Sequence, residues 1–245
     1  MRICAVFFIV AIGVVGASGG AHAGQNAYEQ LLAADRLGDD VDSVEYVWRQ
    51  EMTHSVTGQR FTTAFQDESR EIIEGDYLVK SSKTITESNG RDSGIYYRDG
   101  YYYMRNYLGE PRNVKYPSEP EHRPSGKEPE GFAMIFFEKG MIASQTATAG
   151  RLHFTISPEA VNAWYQRTGQ PMEFIKGEVV VELYPDGRVK SRTGTGTFVI
   201  LAGERMVEDY TASLTFKQYG GVEVTFPPGI ENYPEIPAPD EDWDG

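Results

Sequence analysis

Long runs of strict two-residue alternation set what this chain can fold into. In residues 44–56, Val44, Tyr46, Trp48, Met52 and Val56 fall on one side of a pleat, with Glu45, Arg49, Glu51 and Thr53 mostly on the other. Residues 206–216 repeat the pattern with Met206, Tyr210, Ala212, Leu214 and Phe216, and Glu208 stands on that apolar side. Turn dipeptides separate such runs: Thr57-Gly58, Gly75-Asp76, Asn89-Gly90, Asp99-Gly100 and, in a longer hairpin, Pro185-Asp186-Gly187. If that last loop has three residues, Tyr184 faces Arg188 and Glu182 faces Lys190. Short turns join antiparallel neighbours, so the pattern predicts about nine strands in a large antiparallel sheet. Runs of ten or more residues favour strong twist and curvature.

Two segments switch to helical spacing. In "NAYEQLLAADRLGDD", Tyr28, Leu31 and Leu32 lie on one side and Gly38 marks the end. In "SPEAVNAWYQRTG", Ser157 suits the N-cap, Pro158 and Glu159 the first turn, and Gly169 the stop, with Val161, Trp164 and Tyr165 as the apolar side. The apolar run Phe132–Phe137 is compatible with a third helix or with a buried strand. The fold class is therefore α+β, with two or three helices against one face of the sheet.

The first residues read as a secretory signal: Arg2, an apolar run from Ile3 to Val15, and Ala21-His22-Ala23 in the A-x-A pattern. The run is shorter than the roughly 20 apolar residues of a membrane span. We expect cleavage after residue 23, a single domain over 24–236 and a disordered acidic tail over 237–245. Cys4, the only cysteine, leaves with the signal and stands too early to carry a lipid. The mature chain is then secreted or periplasmic, not lipid-anchored and not inserted in the membrane. Residues 117–130, with four prolines, are expected to be a loop within that domain.

The formal net charge of −13 disfavours nucleic acid and anionic membrane surfaces as partners. No nucleophile elbow and no phosphate-binding glycine loop occurs. His54, His122 and His153 lack metal-ligand spacing and read as scattered surface residues. "DEDWDG" opens like a calcium loop and stops before its later ligands. No catalytic residue, metal ligand or cofactor is assigned. Glu208 is the acid to watch, because burial raises a carboxyl pKa, but a strand-end position or a partner such as Arg205 is the favoured account of it.

"YYRDGYYYMRN", residues 96–106, gathers five tyrosines around Asp99-Gly100. A two-residue turn there pairs Tyr97 with Tyr102, Tyr96 with Tyr103 and Ile95 with Met104. The pleat then divides the cluster. Ile95, Tyr97, Tyr102 and Met104 share one face; Tyr96, Arg98, Tyr101, Tyr103 and Arg105 share the other.

"DGYYYMRNYLGEPRNVKYP" and "GEVVVELYPDGRV…GVEVTFPPGIENYPEI" resemble the central hairpin and the ending of uncharacterised secreted and lipoprotein families with the LolA-like, lipoprotein-carrier fold. Val224, Phe226, Pro227 and Tyr233 carry the second match. The resemblance implies an incomplete, strongly bent β barrel with helices on its concave face. It also implies a carrier or sensor of acyl chains rather than an enzyme. The lipobox cysteine of tethered relatives is missing. The candidate ligand-lining residues are Trp48, Met52, Tyr77, Ile95, Tyr97, Tyr102, Met104, Phe132, Phe136 and Met141. Two other readings stay open: a cell-envelope interaction module whose core is filled by the same residues, and a secreted hydrolase, which needs two carboxylates or a His–acid pair in a cleft.

Overall fold

The computed structural model describes residues 26–39, 41–56, 59–72, 77–85, 92–105, 112–117, 137–201 and 206–238. The expected signal, the proline-rich loop after Pro117, Phe132, Phe136, His122, Arg205 and the final residues lie outside them.

Eleven strands form one open sheet. They are β1 (Ser43–Val56), β2 (Gln59–Ile72), β3 (Tyr77–Ile85), β4 (Asp92–Arg98), β5 (Tyr101–Arg105), β6 (Asn113–Pro117), β7 (Ile142–Thr148), β8 (Arg151–Ile156), β9 (Met172–Leu183), β10 (Val189–Ile200) and β11 (Met206–Tyr219). The order β6-β5-β4-β3-β2-β1-β11-β10-β9-β8-β7 is two meanders joined by antiparallel pairing of the first strand with the last. Strands on both sides of the proline-rich loop thus enter one sheet. The excess over the nine expected strands includes β6, which has only five residues, and β7, whose sequence IASQTAT holds a single large apolar side chain and so no alternation.

Two α-helices, α1 (Ala27–Asp39) and α2 (Pro158–Thr168), join the same core cluster. The α1 stripe is Ala27, Leu31 and Ala34; Leu32 is 39% exposed, which corrects the expected pairing of Leu31 with Leu32. Helix α2 follows its signals. Ser157 Oγ accepts from the Ala160 N–H at 3.2 Å, and Gly169 closes the helix at φ 70°. The Asn162 amide then locks α2 to β9: its Nδ2 donates to the Phe174 carbonyl at 3.0 Å, and its Oδ1 accepts from the Phe174 N–H at 2.7 Å. Helix α1 is tied down by an ion pair between Asp35 and the buried Arg192 of β10, and by the Tyr28 N–H donating to Gln145 Oε1 of β7.

Register shows which side chains share the helix-bearing face. Trp48 stands opposite Leu214, Leu214 opposite Arg192, Arg192 opposite Val181, and Val181 opposite Leu152. Leu152, Phe154, Val179 and Val181 are fully excluded from solvent there. At about 25 cal/mol per Å² of apolar surface, such side chains contribute roughly 1.5–3 kcal/mol each.

The opposite face is covered at the far end of the sheet. Tyr96 and Tyr103 are buried under Ile230, with Val224, Phe226 and Tyr233 packed around them. The segment carrying these residues also bridges the outer edge of β6. The Lys115 N–H donates to the Pro234 carbonyl and the Ile236 N–H to the Lys115 carbonyl, both at 2.9 Å. A free strand edge is thereby occupied by the protein's own chain.

A candidate ligand-binding face

The Asp99-Gly100 turn has the geometry its sequence demands. Asp99 (φ 50°) and Gly100 (φ 80°) both occupy the left-handed region, as a two-residue hairpin turn that matches strand twist requires. The expected pairs follow: Ile95 with Met104, Tyr96 with Tyr103, Tyr97 with Tyr102. On one face a ladder of rings crosses three strands. Tyr97 and Tyr102 meet edge-on at 5.3 Å between centroids, and Tyr102 and Tyr116 lie 5.5 Å apart. Val114 stands opposite Met104 and is buried. Register carries this face back to the core: Val44, Glu71, Tyr77, Tyr97, Tyr102 and Tyr116 are successive partners from β1 to β6. The ladder and the helix-packed core therefore lie on the same side of the sheet.

The candidate residues divide into two groups. Trp48 is buried in the helix-covered core, and Met52 and Met141 pack against that core. Ile95, Tyr97, Tyr102 and Met104 line the ladder, where Tyr102 is buried and the other three are half-buried. Tyr77 is the register partner of Tyr97. Phe132 and Phe136 lie outside the described residues. Tyr116 and Val114 belong to the same face and escaped the sequence reading; their two-residue spacing in "NVKYP" was the available signal. Phe137, the last residue of the apolar run, packs on Phe154 at 4.8 Å and on Tyr28 at 6.2 Å, at the core beneath α1.

A polar cluster interrupts the core near Met52. Glu208 and His54 are register partners on β11 and β1, with Nδ1 to Oε2 at 3.5 Å and side chains 12% and 13% exposed. His54 is thus not a surface residue, which corrects the expectation from its spacing. Glu208 meets an imidazole, whereas Arg205 is outside the described residues. Tyr210, two residues along β11, and Tyr165 of α2 complete the cluster, and both are buried. Burial pushes both phenols well above the ordinary tyrosine range, and the nearby Glu208 carboxylate pushes the same way. They keep their protons at every physiological pH. His153 behaves as expected of a surface histidine: it pairs with Glu178 at 3.0 Å with both side chains exposed. Among the described residues no three His, Cys, Asp or Glu side chains converge as a metal site. None of the described helices is long and apolar enough to cross a membrane.

No known family model and no curated protein matches the chain. Several solved structures are similar to it. A LolA superfamily protein, NE2245 from Nitrosomonas europaea, is 10% identical, with 83% of this chain and 96% of that chain covered and a TM-score of 0.22. A DUF1329 family protein from Desulfovibrio piger is 10% identical over 82% of this chain and 93% of that chain, with a TM-score of 0.24. Pseudomonas aeruginosa MucB, solved in complex with MucA, is 11% identical over 83% of this chain and 67% of that chain, with a TM-score of 0.26. These neighbours include the fold to which the sequence resemblance pointed. At such identities and TM-scores, function has to be argued from this chain's own residues.

Proposed function

We propose that this is an extracytoplasmic, non-catalytic binding protein that holds a lipid or acyl chain against the inner face of a curved sheet. The observation that supports it is the uneven cover of that face. Helix α1 packs on β7, β8 and β10, and helix α2 on β9. Farther along the same face, Ile95, Tyr97, Met104 and Tyr116 form a half-buried apolar band on β4, β5 and β6. An acyl chain laid along this band gains up to about 0.8 kcal/mol per buried CH₂, so affinity should climb with chain length. The extracytoplasmic part of the reading rests on the signal-like pattern of residues 1–23.

The test is uptake of dansyl-labelled fatty acids of 8 to 16 carbons by the delipidated protein, together with native mass spectrometry of the protein as purified. Copurified lipid and affinity that rises with length support the reading. Tyr97→Ser combined with Tyr102→Ser should then weaken uptake at least tenfold, with near-UV circular dichroism confirming the fold. Absence of both copurified lipid and probe binding sinks the carrier reading, as does unchanged uptake by the folded double variant.

A second reading, a hydrolase, draws on the His54–Glu208 pair flanked by the Tyr165 and Tyr210 phenols. Its requirement is turnover of short- or long-chain nitrophenyl esters that Glu208→Gln abolishes. No turnover by the unaltered protein removes it.

A further inference from the structure

The β9–β10 hairpin and the end of β11 enclose a groove of about 380 Å³, open to solvent and remote in sequence from the tyrosine ladder. That volume lies at the lower end of known small-ligand sites. Two adjacent bulges shape it. In the β1–β11 pair, Tyr46 stands opposite Phe216 and Glu45 opposite Gln218, which leaves Lys217 as an extra residue. In the β9–β10 pair, Val189 stands opposite Leu183 and Ser191 opposite Glu182, which leaves Lys190 extra. Bulges bend a strand and re-aim a side chain. Lys217 lines the groove as a result, whereas Lys190 turns to Glu182 at 3.3 Å.

The walls are built and their own polar atoms are spent. Tyr184 and Tyr219 meet at 83°, with centroids 6.5 Å apart, and make an aromatic corner. The Tyr184 hydroxyl donates to the Phe216 carbonyl at 2.9 Å and the Tyr219 hydroxyl to the Val189 carbonyl at 2.7 Å. The Gln218 amide nitrogen is committed to the carbonyls of Gly220 and Gly221. The Arg188 guanidinium lies over the Tyr219 ring at 5.1 Å. Its Nε and Nη2 both donate to Asp186 Oδ2, at 2.9 and 2.6 Å, which fixes the plane of the fork and leaves Nη1 facing away from that bond. Lys217 makes no ion pair among the described residues. With Asp186 against Arg188 and Lys217, the groove carries a net positive charge in a chain whose formal charge is −13.

We propose that this groove is a binding site for a small oxyanion, a carboxylate or a phosphate ester, whose carbon body rests in the corner of Tyr184 and Tyr219. Lys217 supplies a mobile ammonium and Arg188 a pre-oriented guanidinium, the pairing that suits a planar or tetrahedral oxyanion. The overall negative charge of the protein repels anions elsewhere and makes this spot selective.

The experiment is a titration of the full protein, followed by amide chemical shifts, with phenyl phosphate, inorganic phosphate, benzoate and benzyl alcohol. Shifts should centre on residues 184–188 and 217–219. Phosphates alone, or benzoate alone, identifies which oxyanion the groove takes. Raising salt from 50 to 300 mM should weaken binding several-fold, and Lys217→Gln should weaken it about tenfold with the thermal transition unchanged. Arg188→Gln serves as a second variant that leaves Lys217 in place and should also weaken binding. The proposal is overturned if no anion shifts these residues, if neutral benzyl alcohol binds as well as the anions, or if Lys217→Gln binds undiminished.

Discussion

Tyr210→Phe should stabilise this protein, against the usual direction of a core substitution. Tyr210 is 5% exposed, and its hydroxyl has no hydrogen-bond partner among the described residues. The ring is well used: it stands edge-on to Phe198 at 6.3 Å and opposite Met52 in the β1–β11 register. Phenylalanine keeps that packing and removes a buried donor that lost its water on folding. Such a donor costs about 1–3 kcal/mol, so a gain on the order of 1 kcal/mol is expected at pH 7. The gain should grow in alkali. Burial raises the phenols of Tyr165, Tyr210 and Tyr219 above the ordinary 10.0, so above that pH the unfolded chain releases protons that the native state keeps. The unfolded state then binds fewer protons, and stability falls as pH rises. The limiting loss is about 1.4 kcal/mol per pH unit for each such phenol. Tyr210→Phe should remove that one phenol's share of the slope. Urea unfolding at intervals from pH 7 to pH 11.5 measures both effects. A destabilised variant at pH 7, or an alkaline slope identical to that of the unaltered protein, would refute the reasoning and show that the hydroxyl is bonded in the native state.

Two further outcomes follow from the elements that hold the sheet's ends. Ser157→Ala removes the hydrogen bond to the Ala160 N–H at 3.2 Å and should cost about 1 kcal/mol of unfolding free energy in urea, whereas Ser157→Asp should cost little. Truncation after Gly221 takes away Ile230 and the bridge on Lys115, so Tyr96 and Tyr103 are uncovered and the β6 edge is freed. Static light scattering should then show association that the full chain lacks at equal concentration; a truncated chain that stays monomeric would mean the edge is protected by other means.

What the sequence made legible was whatever depends on near neighbours. The Asp99-Gly100 hairpin, the caps of α2 and the alternation of β1 and β11 are local, because turn chemistry and pleat period are set within a few residues. The same locality explains the errors. Glu182 was expected opposite Lys190, yet it stands opposite Ser191, because a bulge inserts Lys190. No turn rule forecasts a bulge three residues beyond the loop. Lys190 still reaches Glu182 at 3.3 Å, so the charge pairing was legible although the register was not. His54 read as a surface residue because its partner, Glu208, is 154 positions away, and only the closure of β1 on β11 brings them together. The groove was invisible for the same reason: its lysine is aimed by a bulge between the first and last strands.

The pairing of first strand with last also explains why helix cover is uneven along one sheet face. The second meander, β7–β11, arrives with both helices packed on it, α1 from before β1 and α2 from between β8 and β9. Neither described α-helix falls within the first meander, β1–β6. Among the described residues, helix cover on the shared face therefore follows topology and sits on the second meander. At that end the C-terminal segment stabilises the opposite face through Tyr96, Tyr103 and Ile230, so the strands hold although Tyr97 and Tyr116 on either side of the buried Tyr102 are only half-buried. On the proposed carrier reading, a packed far side leaves the near side available to a ligand. Substitutions in the ladder should accordingly affect uptake more than stability, and substitutions at Tyr96 or Ile230 should do the reverse.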